Sequence, residues 1–298
     1  MTMPTVSVVI PAYNAEAFIR EALDSVFRQT YRDFEVIVVD DGSEDRTAEI
    51  IKQYGHDVHY IHQKNQDVAA ARNTGIRSSR GEWIAFLDHD DVWLPEKLEK
   101  QVSAIQSSND VDVVFCDMVR WYGGDNVRHE SWRRRVNRRV VRRGMLKSLL
   151  LRCSFQPSTV MASRTCFQDW GLFDESFRVS SDWDMWLRLA CRGSRFHYID
   201  EVLCYYRDHG GNTYRDPEKM EHDRLRVLDK AFRDCHLPPA YRKRAYARAT
   251  IESGLQYYGI RAYSEAYIRF RKAWFLHPFS ITAKVYKRLI QSYVRKSG

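Results

Sequence analysis

A chain of 298 residues, 44% hydrophobic and 13% aromatic, can build a sizeable core and one appendage at roughly 100–200 residues per domain, which excludes disorder and fibrous repeats. The net charge of +8 is unevenly placed: residues 1–214 carry 28 Lys/Arg against 31 Asp/Glu, and residues 215–298 carry 19 against 8. No apolar run approaches the roughly 18–20 residues that cross a bilayer and no basic stretch precedes the first apolar run, so a cytoplasmic, non-spanning chain is expected.

The first half alternates β-branched runs with helical spacing. Strands are predicted at Thr5 to Ile10, Phe34 to Val39, Val58 to His62, Trp83 to Leu87 and Val111 to Cys116. Helices are predicted between them, with Phe18, Ile19, Ala22, Val26 and Phe27 on one face of the first, then Thr47 to Gln53, Val68 to Ser79 and a helix opened by Pro95. This alternation implies βαβ units around a largely parallel sheet. Further on, Ser158 to Ser163 reads as a strand and Ser181 to Cys191 as an amphipathic helix; beyond about Tyr214 only helical patterns remain. Domains of 1–214 and 215–298 are expected.

Six cysteines without a CxxC pair (Cys116, Cys153, Cys166, Cys191, Cys204, Cys235) read as thiols rather than as a zinc site or disulfide framework. Eight arginines crowd Arg128 to Arg143 with one glutamate. A solvated loop, a clamp for an anionic ligand and a patch for an anionic membrane surface all fit that run. Charge alone would also suit a nucleic-acid binder, but no nucleic-acid motif accompanies it and none is expected as a partner.

Polar clusters fall where strands end, the place where open α/β sheets bind ligands. Asp88, Asp90 and Asp91 follow an apolar strand and could hold a divalent cation against a diphosphate; the plainer alternative is that they start the next helix. Asp40-Asp41-Gly42-Ser43 could accept hydrogen bonds from a base or ribose, or form an Asx turn with Ser43 or Asp45 capping a helix.

Six blocks in order, VSVVIPAYN (Val6 to Asn14), VIVVDDGSEDRT (Val36 to Thr47), AAARNTGI (Ala69 to Ile76), GEWIAFLDHDD (Gly81 to Asp91), SDWDMWLRL (Ser181 to Leu189) and YYRDHGGNT (Tyr205 to Thr213), resemble family-two glycosyltransferases. The resemblance covers roughly residues 4–214 and implies a GT-A fold: a Rossmann-like, mostly parallel sheet flanked by helices, here with an all-helical C-terminal extension. It implies transfer of a sugar, with inversion, from a nucleotide-sugar donor such as a UDP-sugar to a saccharide or lipid-linked acceptor. By motif, Pro11, Ala12, Tyr13 and Asn14 would line the base, Asp41 its edge, Asp88 the ribose and Arg72 the diphosphate. Asp90, closing a DxD motif, and His209 would hold Mn²⁺ or Mg²⁺. Asp182 would be the catalytic base, although Ser181-x-x-Asp184 also reads as a capping-box variant. The glutamate that often precedes this aspartate is Ser181 here. Trp183 is a candidate sugar platform and Trp186 a core residue.

Non-catalytic nucleotide-sugar binding is the rival reading of the same motifs, and peripheral contact with an anionic membrane face follows from the basic runs. In the tail, Gly254, Tyr257, Ala266, Phe270, Ala273 and Pro278 have spacings similar to one tetratricopeptide repeat, or to an ordinary helical hairpin.

Overall fold

The computed structural model describes residues 4–108, 110–122, 127–128, 144–153, 155–211, 216–235 and 237–296. Nearly all of the arginine run lies outside the described residues. The chain divides into two compact units, the first formed by residues 1–145, 154–176 and 189–209, the second by 146–153, 177–188 and 210–298.

The first unit is organised by one nine-stranded sheet. Strands β1 (Val6–Ala12), β2 (Phe34–Asp40), β3 (Val58–His62) and β4 (Trp83–Phe86) pair in parallel in the order β3-β2-β1-β4. Their connections are α1 (Ile19–Phe27), α2 (Thr47–Lys52) and α3 (Asp67–Ser78). All seven residues of β1 are buried, as expected of a strand covered on both faces. The sheet continues through β8 (Val160–Ser163), β6 (Val113–Trp121), β9 (Phe196–Arg207) and β5 (Val92–Trp93), with β7 (Val127–Arg128) on β6. Here pairing is mixed: β8 runs antiparallel to both neighbours, whereas β6 and β9 are parallel.

Two glycines permit close approach in the parallel half. A Cβ on Gly75 of α3 would stand 2.3 Å from Cγ1 of Val9, so the glycine brings α3 down onto β1. A Cβ on Gly81 would stand 2.6 Å from the backbone nitrogen of Ser7, where the chain enters β4.

Further helices are α4 (Lys97–Gln106) and α6 (Arg164–Trp170) in the first unit, with α5 (Met145–Leu149) and α7 (Ser181–Cys191) belonging mostly to the second. Strands β5 and β9 lie outside the sequence-predicted set. Asp200 and Glu201 interrupt the apolar pattern of β9, and β6 shifts register against it around Asp117, so no clean alternation marks the strand.

The second unit is helical after residue 216, with α8 (Pro217–Asp234), α9 (Ala240–Gly259), α10 (Tyr263–Leu276) and α11 (Ala283–Lys296). Asp216 caps α8 by accepting from the Lys219 N–H, and Pro217 occupies its first turn. Gly254 faces the ring of Phe270, where a Cβ would meet ring carbons at 2.7 Å. The Gly254, Ala266, Phe270 and Ala273 spacing therefore builds a close helical hairpin.

No helix among the described residues is long and apolar enough to cross a membrane. Cys116, Cys153, Cys166 and Cys204 are thiols, but Cys191 and Cys235 are disulfide-bonded, which corrects the expectation of six thiols.

Candidate active site

The ends of β2, β1 and β4 are neighbours because the strands are adjacent in the sheet, and each end carries one of the acidic or polar clusters. The loops are fastened to one another. The Asn14 N–H donates to Ser43 Oγ at 3.0 Å, and Asn14 Oδ1 accepts from the Glu44 N–H at 2.9 Å. His89 Nδ1 lies 3.2 Å from the carbonyl oxygen of Pro11, joining the ends of β1 and β4.

Within the first cluster the residues divide their labour. Pro11 and Ala12 are buried in β1, and Asn14, at φ 45°, has its side chain committed to the neighbouring loop. Burial of the Pro11 and Ala12 side chains fixes where the loop leaves β1. Tyr13 is 45% exposed, and its ring is the large surface this segment presents.

At the end of β2 the Asx turn belongs to Asp40, whose Oδ1 accepts from the Ser43 N–H at 2.9 Å. Burial opposes ionisation of Asp40, but hydrogen bonds from Ser43, Tyr60 and His62 outweigh it and hold the carboxyl below its ordinary range. Asp45 Oδ1 accepts from the Thr47 N–H at 2.9 Å at the start of α2. Asp41 is spared both duties. Its Oδ1 accepts from Gln63 Nε2 at 2.7 Å and from the Gln66 N–H at 3.0 Å, and burial, with the nearby Asp67 charge, pushes its carboxyl up.

The Asp88-His89-Asp90-Asp91 turn separates its three carboxylates. Asp91 is fully buried; it accepts from the Ser158 hydroxyl at 2.5 Å and the Arg207 N–H at 3.0 Å. Burial and the charges of Asp90 and Asp88 push its carboxyl well up. Asp91 is thus an internal brace, and the metal reading of the cluster narrows to its neighbours. Asp88 Oδ1 receives Arg72 Nη2 at 2.6 Å. The Arg72 side chain is 6% exposed, which removes the surface-arginine alternative, and its Nε–H is buried with no hydrogen-bond partner among the described residues. A buried donor left unmade costs about 1–3 kcal/mol, more on a cation, so an anionic ligand here would relieve a standing penalty.

Asp90 Oδ2 meets His209 Nε2 at 2.9 Å, and the His209 ring packs on Phe18 with centroids 4.8 Å apart. Sequence reasoning missed the residue that frames this pair. Arg207 donates from Nε to the Asp90 carbonyl at 2.8 Å and from its backbone to Asp91, pairs with Glu21, and lies over the ring of Trp121 at 4.0 Å. Its position two residues before His209 in the same block was the available signal. Asn73, next to Arg72, was also passed over; it bonds Phe173 through both amide atoms and donates to Glu175.

The second unit contains Asp182, in the first turn of α7, where a carboxylate suits the helix N-terminus. Its Oδ1 accepts from the Trp183 N–H at 2.8 Å, and the Cys153 thiol lies 3.8 Å from Oδ2. Asp184 is engaged by Lys230 at 2.8 Å and Arg188 at 3.4 Å. Ser181 is 2% exposed, a place where a glutamate would have to bury its charge. Trp183 is 4% exposed and spends its indole N–H on the Leu149 carbonyl at 2.7 Å, which corrects the expectation of a sugar platform. Trp186 is fully buried.

Residues 7–168 match glycosyl transferase family 2. An uncharacterised glycosyltransferase of Rickettsia prowazekii (strain Madrid E) is 34% identical over 215 residues, which are 70% of this chain and 66% of the relative. The Bacillus subtilis (strain 168) protein EpsJ, also an uncharacterised glycosyltransferase, is 31% identical over 229 residues, 74% of this chain and 66% of EpsJ. The match thus spans just under two thirds of these relatives' length. Among solved structures, S. aureus TarS 1–349 in complex with UDP-GlcNAc is similar with a TM-score of 0.65 at 20% identity, covering 97% of this chain and 79% of that one. The mannosyltransferase PcManGT from Pyrobaculum calidifontis, in complex with GDP-Man and Mn²⁺, gives 0.67 at 20%, covering 99% and 87%. These structures share the GT-A fold, a curled α/β sheet flanked by helices, with this chain. On fold, motif order and family match together, the chain belongs to glycosyl transferase family 2.

Proposed function

We propose that the chain is a metal-dependent, inverting transferase that moves a sugar from a nucleoside-diphosphate donor, UDP foremost, to a hydroxyl of a saccharide or lipid-linked acceptor in polysaccharide or glycoconjugate assembly. The observation that carries this reading is that the turn after β4 holds both the Asp90–His209 pair and the buried Arg72–Asp88 pair. Family membership supports it, as do the nucleotide sugars held by the TarS and PcManGT structures.

The donor set fits a divalent ion shared with substrate. Asp90 supplies a carboxylate and His209 an imidazole, and Mg²⁺ or Mn²⁺ commonly takes one or two protein ligands with phosphate oxygens and water completing its shell. Among the described residues no group of three His, Cys, Asp or Glu side chains could hold a metal, so the diphosphate would have to complete the site. Such an ion, when bound, supplies charge neutralisation to the departing diphosphate.

The chain's own groups carry the remaining roles. Arg72, fixed by Asp88, presents its guanidinium to the diphosphate; Tyr13 stacks on the base; Asp41 accepts from the base edge. Asp88 also faces the ribose. Asp182 takes the proton of the acceptor hydroxyl as that oxygen attacks the anomeric carbon. We assign transfer to residues 1–214 and an accessory role to 215–298, with the work done at the cytoplasmic face.

A thermal-shift panel of UDP, GDP, dTDP and CMP, each with and without Mn²⁺, tests the reading. A ligand at 100 times its Kd stabilises the folded state by about 2.7 kcal/mol. Stabilisation by one nucleotide that requires Mn²⁺ is expected; a panel without any shift overturns the proposal.

A further inference from the structure

The hairpin of α10 and α11 in the second unit buries one face and leaves another apolar. On α11 the inward positions are Val285, Leu289 and Ser292. The outward stripe is Tyr286, Ile290 and Val294, at 47%, 49% and 64% exposure. The stripe crosses to α10, because the rings of Trp274 and Tyr286 lie 5.8 Å apart. At the connecting turn Phe279 is 94% exposed. Isolated apolar side chains on a surface are ordinary, but a continuous aromatic and aliphatic patch across two helices marks a binding face.

Charge selects the occupant. Residues 263–296 contain eight Lys/Arg and one acidic residue, Glu265, and α11 has no acidic residue at all. Among the described residues Lys272, Lys284 and Lys287, which flank the patch, make no ion pair. A second copy docked on the same face would bring like charges together, and a nucleic acid would have no use for an exposed Phe279 and Val294. A surface with anionic headgroups over an apolar layer satisfies both features: lysines stay with the headgroups while aromatic and aliphatic side chains enter the boundary below.

We propose that the α10–α11 hairpin docks this protein on an anionic lipid surface, with Phe279, Ile290 and Val294 inserted and Lys284 and Lys287 on the headgroups. The inference stands on this face alone and is independent of the transferase reading.

Co-sedimentation of the full chain with vesicles of phosphatidylglycerol and phosphatidylcholine, against phosphatidylcholine alone, tests it. Binding to the anionic vesicles is expected, with the chain left in the supernatant by the neutral ones. Phe279→Ser with Ile290→Ser should lower partitioning about tenfold or more, since two exposed side chains lose their burial in lipid. Lys284→Gln and Lys287→Gln should each lower it about fivefold, an effect erased by high salt. All four side chains are exposed, so unchanged circular dichroism is expected of the variants. Brominated lipid should quench Trp274 fluorescence, and Trp274→Phe should lose that quenching. Vesicle binding that ignores the apolar substitutions would overturn the proposal, because charge elsewhere would then explain it. So would a concentration-dependent dimer, in sedimentation velocity, that the same substitutions dissociate.

Discussion

Asp90 and His209 stand 119 positions apart in sequence and meet at 2.9 Å. One closes the turn after β4; the other follows β9, on which Arg207 reaches back to the Asp90 carbonyl. Asp90→Asn is expected to weaken Mn²⁺-dependent UDP binding at least tenfold, since even partners one shell removed from a metal cost about 10–100-fold in affinity. His209→Ala should weaken it less, because phosphate oxygens and water can fill the vacated position. Calorimetric titration of UDP with and without Mn²⁺ distinguishes the cases; an Asp90→Asn protein that titrates like the parent would remove Asp90 from the site.

Arg72 and Asp88 form a pair whose cation is 6% exposed and whose carboxylate is 23% exposed. Removing one partner of a buried pair strands the other, at a cost of about 3–5 kcal/mol. Arg72→Met should therefore destabilise by about 3 kcal/mol and also lose nucleotide affinity, while Arg72→Met with Asp88→Leu recovers part of the stability and none of the affinity. Urea unfolding of the two single variants and the double variant, read as a cycle, measures this coupling. Additive losses would mean that the ion pair contributes nothing.

The parallel half of the sheet was legible because β1, β2 and β4 are largely buried and write themselves as nearly continuous apolar runs, interrupted within them only by Ser7 and Glu35. The Asp90–His209 pair was legible only through motif resemblance, since no local pattern links the two positions. Arg207 shares a motif block with His209, but its role was not legible, because its work is done by backbone and side-chain bonds to residues more than a hundred positions away. Trp183 misled because helical spacing places a side chain on a face without saying that Leu149 will take its N–H. Likewise Asp88, Asp90 and Asp91 look alike in sequence, and only Ser158 and Arg207, arriving from elsewhere, make Asp91 a buried brace.

Gly81 tests packing where the chain enters β4. An alanine there would place its Cβ 2.6 Å from a backbone nitrogen, which cannot swing away as a side chain could. Gly81→Ala is expected to destabilise by about 1–3 kcal/mol, the usual range for overpacking. Gly75→Ala meets the Val9 side chain instead, so pairing it with Val9→Ala should restore stability, whereas Gly81→Ala has no such partner. Thermal unfolding of the three variants separates the two sites.

Lys97 is fully buried, with Nζ 2.7 Å from Gln101 Oε1 and 3.8 Å from the centre of the Trp93 ring. Burial pushes its ammonium down to about 8. The folded protein therefore releases this proton more readily than the unfolded chain, and between about pH 8 and the ordinary lysine range near 10.4 the unfolded state binds more protons. Stability from this group rises with pH across that window and is lost as pH falls through it, by about 3 kcal/mol in all. Lys97→Met should flatten the rise. Denaturant unfolding at several alkaline pH values checks it, and an unchanged slope in the variant would show that another group is responsible.

Asp182→Asn addresses the chemical step. The amide keeps an oxygen for the Trp183 N–H, which Asp182 Oδ1 now accepts at 2.8 Å, so the first turn of α7 should survive the change. What the amide cannot do is take a proton. General bases contribute about 10²–10⁴-fold, so turnover should fall by roughly that factor. The Mn²⁺-dependent affinity for UDP should stay within about twofold, because the lost group acts only as the acceptor hydroxyl attacks. Turnover near the parent's would displace Asp182 from the base role, and loss of UDP affinity together with turnover would make it a donor-site residue instead.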